Sequence, residues 1–204
     1  MFLAYPYDGE PRDEIKRKER QPEYRHTTRE RGELHVIVRD NTWIFGERFH
    51  IALSEIGLTR VMERVSQELG GKASKKRVKK TDGSYARLDN FLGRIVPHPD
   101  QTKREFIVVE LKRPSLKVGR TELDQLEDYV NALMAQPDYS HTDTQWTFFL
   151  VTGEYDSSIT PRITQRDRPV GLFPKTANSE VWVRTWAELI RDCDARLHFI
   201  QDKA

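Results

Sequence analysis

The sequence predicts an α/β fold, and two apolar runs joined by a helical pattern carry this prediction. Residues 106–109 (Phe-Ile-Val-Val) are apolar and mostly β-branched, which is typical of a buried strand. Residues 146–152 (Trp-Thr-Phe-Phe-Leu-Val-Thr) form a second strongly apolar strand. Between them, apolar residues recur at helical spacing from Thr121 onwards. Because a single crossover helix joins the two strands, we expect them to lie parallel in one sheet.

A further strand is predicted just before the first of these runs. Residues 85–96 have the apolar content of a strand, and Pro97-His-Pro-Asp100 turns the chain towards Phe106. The connection is too short for a helical crossover, so we expect an antiparallel hairpin. Such pairing can bring Asp89 beside Glu110.

The crossover helix has a recognisable start and one apolar stripe. We expect it to begin at Thr121, with Asp124 three residues on in a capping-box pattern, and to end before Pro137. Gln125 and Tyr129 are four residues apart and therefore share a face beside the stripe. The stripe comprises Leu123, Leu126, Val130, Leu133 and Met134.

The remaining elements are predicted on either side of this core. Residues 34–38 and 58–69 have the apolar spacing of helices. Residues 155–179 are rich in turn residues, so we expect a long loop or a weak hairpin there. A last short strand is predicted over 180–185 and a closing helix over 186–199. The residues expected to face inward from that helix are Leu189, Ile190, Cys193 and Leu197.

Charge is distributed unevenly along the chain. The net charge is only +2, so any signal for nucleic-acid binding must be local. Residues 8–33 hold eight acidic and eight basic residues and cannot bury enough apolar area to fold alone. We therefore divide the chain into a charged arm or linker, 1–32, and a folded domain, 33–204. A basic run between the predicted elements is either a solvated loop or an arm that contacts phosphates. It comprises Lys72, Lys75, Lys76, Arg77, Lys79 and Lys80.

Composition excludes several classes of protein. The single cysteine, Cys193, excludes an intramolecular disulfide and a cysteine-based zinc cluster. No apolar run approaches the ~18 residues that would span a membrane, and the N-terminus lacks a signal-peptide pattern. We expect a cytoplasmic protein without a membrane partner.

Chemistry is predicted where the strand that begins at Phe106 ends. Glu110 and Lys112 lie on one face of that strand and Leu111 on the other, because side chains alternate. Pro114 cannot continue a central ladder, so we expect the charged pair at the rim of the sheet. A carboxylate and an ammonium at the end of a buried strand are costly unless they are used.

These residue types fit metal-dependent phosphodiester cleavage. Mg²⁺ prefers oxygen ligands and usually takes one or two carboxylates. Asp89 and Glu110 would supply them, with the Leu111 carbonyl as a third ligand. Lys112 could position or deprotonate the attacking water and offset developing charge. The pair Gln125 and Tyr129 could orient the lysine or hold a substrate phosphate.

This arrangement resembles the PD-(D/E)xK nuclease superfamily. Asp89 is followed about twenty residues later by Glu110-Leu-Lys112. The spacing of Gln125 and Tyr129 is similar to the Gln-x-x-x-Tyr motif of RecB-like nucleases. Leu88 stands where many members have a proline.

Two further features narrow the resemblance. Glu47, on the preceding helical segment, is similar in position to the acidic residue that many members place on their first core helix. It would therefore join the catalytic and metal-binding residues. The run Val-Glu-Leu-Lys-Arg-Pro over 109–114 looks most like the Shedu type of anti-phage nuclease domain. The resemblance covers residues 33–155, with the last strand and helix as additions to it.

The resemblance implies a fold, an activity and partners. It implies a restriction-endonuclease-like core with a central mixed β-sheet flanked by helices. It also implies a deoxyribonuclease dependent on Mg²⁺ or Mn²⁺, more an endonuclease than an exonuclease, in defence against foreign DNA. Expected partners are DNA or RNA, and either a second copy of the chain or a regulatory or ATPase domain. The alternatives are an inactive nuclease-fold module that binds nucleic acid or assembles a larger complex, and a toxin-like RNase.

Overall fold

A computed structural model of the chain describes most of the residues from 104 onwards and a few segments before them. The described residues are 34–45, 51–57, 60, 63, 87–95, 104–135 and 144–201, with 51–57 and 87–95 described by their backbone. The helices are α1 (His35–Asp40), a 3-10 helix (Thr42–Phe45), α2 (Arg120–Met134), α3 (Thr160–Ile163) and α4 (Trp186–Gln201). None of the helices in these ranges is both long enough and apolar enough to cross a membrane.

The strands fall into two sheets. In chain order they are β1 (Ile51–Gly57), β2 (Arg87–Ile95), β3 (Arg104–Leu111), β4 (Lys117–Val118), β5 (Thr144–Thr152), β6 (Glu154–Tyr155), β7 (Leu172–Lys175) and β8 (Ser179–Thr185). Six of them form the main sheet, in the order β1-β2-β3-β5-β8-β7. β3, β5 and β8 are parallel neighbours at its centre, whereas the β1–β2, β2–β3 and β7–β8 pairs are antiparallel. β4 and β6 pair in parallel as a small separate sheet.

The strand pairings that the sequence predicts are confirmed. β2 and β3 form the expected antiparallel hairpin, with Asn90 opposite Val109 and Ile95 opposite Arg104. β3 and β5 are parallel and are joined through the crossover helix α2. The last strand and the closing helix are also present, as β8 and α4. The described part of the chain is therefore an α/β fold with a central mixed sheet flanked by helices.

The cap predicted at Thr121 is wrong by two residues, and the helix begins one residue earlier than predicted, at Arg120. The N-cap of α2 is Gly119, and its backbone N–H donates to Glu122 Oε2 at 2.9 Å. Asp124 lies a turn further on and does not take part. Gly119 has no side chain that would mark it as a cap in the sequence, whereas Thr-x-x-Asp is a familiar capping pattern. The hydrogen bond from the Gly119 N–H to Glu122 was therefore not predicted.

Two other expectations are changed by the structure. The sequence did not predict β1, which follows the segment of Glu47 that was expected to be helical; pairing with β2 makes it a strand. For 155–179, where a long loop or a weak hairpin was predicted, the hairpin is nearer to the structure, because the edge strand β7 pairs antiparallel with β8; the stretch also contains α3. The predicted charged arm, 1–32, and the predicted helix over 58–69 lie outside the described residues, apart from helical positions 60 and 63.

The sheet buries an apolar layer on each face. The α2-side core includes Phe106 and Val108 of β3, and four of the five residues predicted for the helix stripe are buried in it, with Met134 at its margin. The α4-side core includes Ile107, Val109 and Leu111 of β3. It is completed by α1, the 3-10 helix and α4, whose residues Leu34, Ile37, Val38, Ile44, Trp186, Leu189, Ile190 and Cys193 are buried. Alternation along β3 therefore assigns its side chains to two different layers.

A close backbone approach joins the ends of β3 and β5. A Cβ atom placed on Gly153 would lie 1.7 Å from the carbonyl oxygen of Pro114. Only glycine fits at this position, because any side chain would displace the segment that comes after β3. The Thr152 hydroxyl donates to the Leu116 carbonyl oxygen at 2.8 Å and holds the same segment from the other side.

We expect Gly153→Ala to destabilise the protein by about 3 kcal/mol, at the upper end for overpacking, because the Pro114 backbone must move. Gly119→Ala is the matched control, since a Cβ there would meet its nearest neighbours at 3.8 Å, in ordinary van der Waals contact. Urea denaturation of both variants measures the difference. Equal stability of the two variants would contradict the close approach.

Candidate active site

The candidate site is built around a buried ion pair at the carboxyl end of β3. Lys112 Nζ lies 3.0 Å from Glu110 Oε1. Only 8% of the Glu110 side chain and 12% of the Lys112 side chain are exposed. The sequence predicted this pair at the rim of the sheet, but it is largely withdrawn from water. Such a pair interacts more strongly than a surface pair and costs more to desolvate.

The backbone of Lys112 is held from two sides. Its N–H donates to the carbonyl oxygen of Val151 on β5 at 2.7 Å. Its carbonyl oxygen accepts a hydrogen bond of 3.2 Å from the indole N–H of Trp186, the first residue of α4. Lys112 therefore lies one residue beyond β3, but its N–H still forms a backbone hydrogen bond with the neighbouring strand β5.

Asp89 lies on β2, next to the last residue of that strand that pairs with β3. The β2–β3 pairs run in sequence from Ile95 with Arg104 to Asn90 with Val109. One step further, both strands continue to Asp89 and Glu110. Residues that stand opposite each other on antiparallel strands have adjacent Cβ atoms on one face of the sheet. The Asp89 side chain lies outside the described residues, so its juxtaposition with Glu110 stays a prediction.

Gln125 and Tyr129 contact each other on α2, as their spacing predicts. The Gln125 amide donates to the Tyr129 hydroxyl at 2.6 Å. Tyr129 is only 2% exposed and belongs to the α2-side core. Glu110 lies on the same side of the sheet, because it follows Phe106 and Val108 at two-residue steps. The structure therefore places the glutamine–tyrosine pair and the ion pair in the same layer.

The other predicted site residues have mixed outcomes. The Leu111 side chain is fully buried in the α4-side core and carries no ligand atom, so the predicted ligand of this residue is its backbone carbonyl. Glu47 lies outside the described residues. The same is true of the predicted phosphate-contacting residues Lys72, Lys75, Lys76, Arg77, Lys79 and Lys80.

The donor chemistry of the site fits a hard divalent cation. Glu110 provides a carboxylate, and Asp89 is the residue of β2 that precedes the last pair of the β2–β3 register. Within the described segments, no three His, Cys, Asp or Glu side chains cluster as a metal site. Mg²⁺ commonly uses only one or two carboxylates, so Asp89 and Glu110 would be sufficient to hold it.

Sequence reasoning missed the network that fixes the start of α4. Thr185 is the N-cap: the Glu188 N–H donates to Thr185 Oγ1 at 3.2 Å, and the Thr185 N–H donates to Glu188 Oε2 at 2.8 Å. The Tyr155 hydroxyl also donates to the Glu188 carboxylate and accepts from the Thr185 N–H at 3.1 Å. Burial, followed by the bond to Glu188, raises the pKa of Tyr155. The spacing Thr185-Trp-Ala-Glu188 is a capping box and could have been found in the sequence.

We expect the ion pair to show strong thermodynamic coupling. Glu110→Gln and Lys112→Met should each destabilise the protein by about 3–5 kcal/mol, because each strands a buried charge or polar partner. The double variant should cost less than the sum of the two, with a coupling energy above roughly 1 kcal/mol.

The control for this cycle is the exposed pair Lys117–Glu154, at 3.4 Å with side chains 49% and 64% exposed. Lys117→Met and Glu154→Gln should couple by about 0.2–1 kcal/mol. Urea denaturation of the variants gives both coupling energies. A coupling energy for Glu110 and Lys112 no larger than that of the control would contradict their burial as a pair.

Tyr155→Phe should destabilise the protein by about 1–3 kcal/mol, because it removes a hydrogen-bonded hydroxyl at the start of α4. The raised pKa means that folding favours the neutral phenol. The difference in unfolding free energy between parent and variant should therefore hold up to about pH 10, the unfolded pKa, and shrink above it. Urea denaturation at several alkaline pH values measures this difference. A difference that stays constant well above that pH would show that folding does not raise the pKa of Tyr155.

Comparisons with known proteins do not place the chain in a family. No family model, no curated protein and no solved structure matches it. The resemblance to PD-(D/E)xK nucleases therefore depends on the motif residues.

Proposed function

We propose that this protein is a metal-dependent nuclease that hydrolyses phosphodiester bonds of DNA. The observation that supports this best is the buried ion pair of Glu110 and Lys112, whose charged atoms are 3.0 Å apart. Glu110 and Asp89 each lie directly next to the last pair of the β2–β3 register. A buried charge pair is a weak source of stability, so its presence at a strand end favours a chemical role. The carboxyl ends of parallel strands are also where α/β folds bind ligands.

The carboxylates of Asp89 and Glu110 would hold Mg²⁺ or Mn²⁺, with the Leu111 carbonyl as a further oxygen donor. When bound, such an ion supplies charge stabilisation at the phosphate and a more acidic water. Lys112, as an ammonium beside Glu110, can donate hydrogen bonds to a phosphate oxygen and offset the negative charge that develops during hydrolysis. The proposal assigns Glu47 to the same centre.

Gln125 and Tyr129 support the site from α2. Because Tyr129 is almost fully buried, its hydroxyl serves to hold Gln125 and does not face bulk solvent. Gln125 is only partly buried, so the proposal assigns contact with Lys112 or a phosphate to its amide. In this proposal the two residues orient the reacting groups and do not exchange protons with substrate.

The biological setting is also part of the proposal. Endonucleolytic cleavage of foreign DNA in anti-phage defence, in the cytoplasm, agrees with the resemblance to the Shedu type. A single centre per chain favours pairing with a second copy, or attachment to a regulatory or ATPase domain, so that both strands are cut. The basic run 72–80 would add affinity for phosphates that decreases with salt concentration.

The test is cleavage of double-stranded DNA, single-stranded DNA and RNA with Mg²⁺ or Mn²⁺ and with EDTA. We expect metal-dependent cleavage of DNA that falls at least about a hundredfold in Asp89→Asn, Glu110→Gln and Lys112→Met. Circular dichroism checks that each variant is folded. Lys175→Met and Glu180→Gln remove a different ion pair, at 2.5 Å on β7 and β8, and should cut as the parent does.

Each other outcome has a distinct meaning. Cleavage of RNA alone would replace the DNA substrate with RNA and favour the toxin-like RNase. Binding of Mn²⁺ or DNA without cleavage would favour the inactive nuclease-fold module. Full activity in Glu110→Gln or Lys112→Met would contradict the proposed centre.

A further inference from the structure

We propose that Trp186 is a positioning residue for Lys112. Its indole N–H holds the Lys112 carbonyl, and through the backbone it keeps the ammonium against Glu110. The catalytic consequence rests on the proposed nuclease function, whereas the structural consequence does not. Trp186 lies 74 residues from Lys112 in sequence, so this link depends on the tertiary structure.

The bond from Trp186 joins a buried indole to the backbone of a partly exposed residue. β3 ends at Leu111, so the Lys112 carbonyl lies beyond the last residue of the strand. Trp186 is 1% exposed, and its indole N–H reaches that carbonyl at 3.2 Å. A partly buried carbonyl that loses its donor is left with an unfavourable, unsatisfied oxygen, so this bond favours one conformation of the segment after the strand.

The place of Trp186 is itself fixed. Its preceding residue, Thr185, is the N-cap of α4 and donates its N–H to Glu188 Oε2 and the Tyr155 hydroxyl, at 2.8 and 3.1 Å. The Tyr155 hydroxyl also bonds the Glu188 carboxylate. The first turn of α4 is therefore tied to β6, and Trp186 cannot shift along its axis without breaking these bonds.

Lys112 is thus held between two elements. Its N–H is bound to Val151 of β5 at 2.7 Å, and its carbonyl is bound to Trp186 of α4. The side chain begins from this fixed backbone and ends at Glu110, 3.0 Å away. Loss of the indole bond would remove this donor from the Lys112 carbonyl and let the ammonium move relative to the carboxylate.

The test replaces Trp186 with 3-benzothienylalanine, which keeps the ring shape and exchanges the N–H for sulfur. The matched control is the same replacement at Trp146. That indole is fully buried in the α2-side core, and its N–H has no hydrogen-bond partner among the described residues. Both replacements preserve the ring volume, so neither should open a cavity. The Trp146 variant should unfold at a temperature similar to that of the parent, and the Trp186 variant at a somewhat lower temperature because it also loses a hydrogen bond.

Two measurements decide the proposal. The first is the ¹H–¹⁵N signal of the Lys112 ammonium, assigned by its loss in Lys112→Met and sharp only while the group is held in a hydrogen bond. We expect it to broaden in the Trp186 variant and not in the Trp146 control. The second is DNA cleavage, where kcat should fall roughly ten- to hundredfold with KM unchanged, as for a misplaced catalytic group.

The proposal is overturned if the ammonium signal of the Trp186 variant equals that of the parent. In an active enzyme, an unchanged kcat also overturns it. If the parent protein cuts no substrate, the nuclease function fails by itself, and the ammonium signal alone decides whether Trp186 positions Lys112.

Discussion

The arrangement of the site depends on the ion pair between Glu110 and Lys112, in which Glu110 lies on the α2 side of the sheet. Removing two charges from water costs several kcal/mol per ion, and their attraction repays this cost only when the geometry is good. The protein meets this condition through the backbone, because β5 and α4 each bond the peptide of Lys112. An ammonium on a flexible four-carbon chain is thereby kept within hydrogen-bond distance of Glu110.

The sheet order explains why these elements meet. β3, β5 and β8 are parallel, so their carboxyl ends lie at one edge, where Lys112, Gly153 and Thr185 are found. The absence of a side chain on Gly153 lets the segment after β3 approach the end of β5. α4 begins directly after β8, which brings its first residue, Trp186, to the same edge. Close approach and short connections therefore bring parts of three strands and one helix to the Lys112 backbone.

Most of the fold can be predicted from local patterns, but the surroundings of the site cannot. The apolar runs of β3 and β5 and the stripe of α2 are long and periodic, so pattern alone predicts their type and pairing. β1 was missed because its residues alternate weakly, and its pairing with β2 is a tertiary effect. The bond from Trp186 to Lys112 spans 74 residues and leaves no trace in local spacing. By contrast, the capping box of Thr185 and Glu188 was present in the sequence and was overlooked.

The role of the last strand and helix changes how the domain is understood. The resemblance to PD-(D/E)xK nucleases covers residues 33–155 and treats the last strand and helix as additions. However, β8 is a central strand, paired along its length with β5 and covered on its other side by β7. Val181 and Val183 fill the α2-side core, and Trp186 contacts the backbone of the proposed catalytic lysine. A unit ending at residue 155 would expose the edge of β5 and lose one of the two bonds that hold Lys112, so residues 179–201 belong to the structural basis of the site.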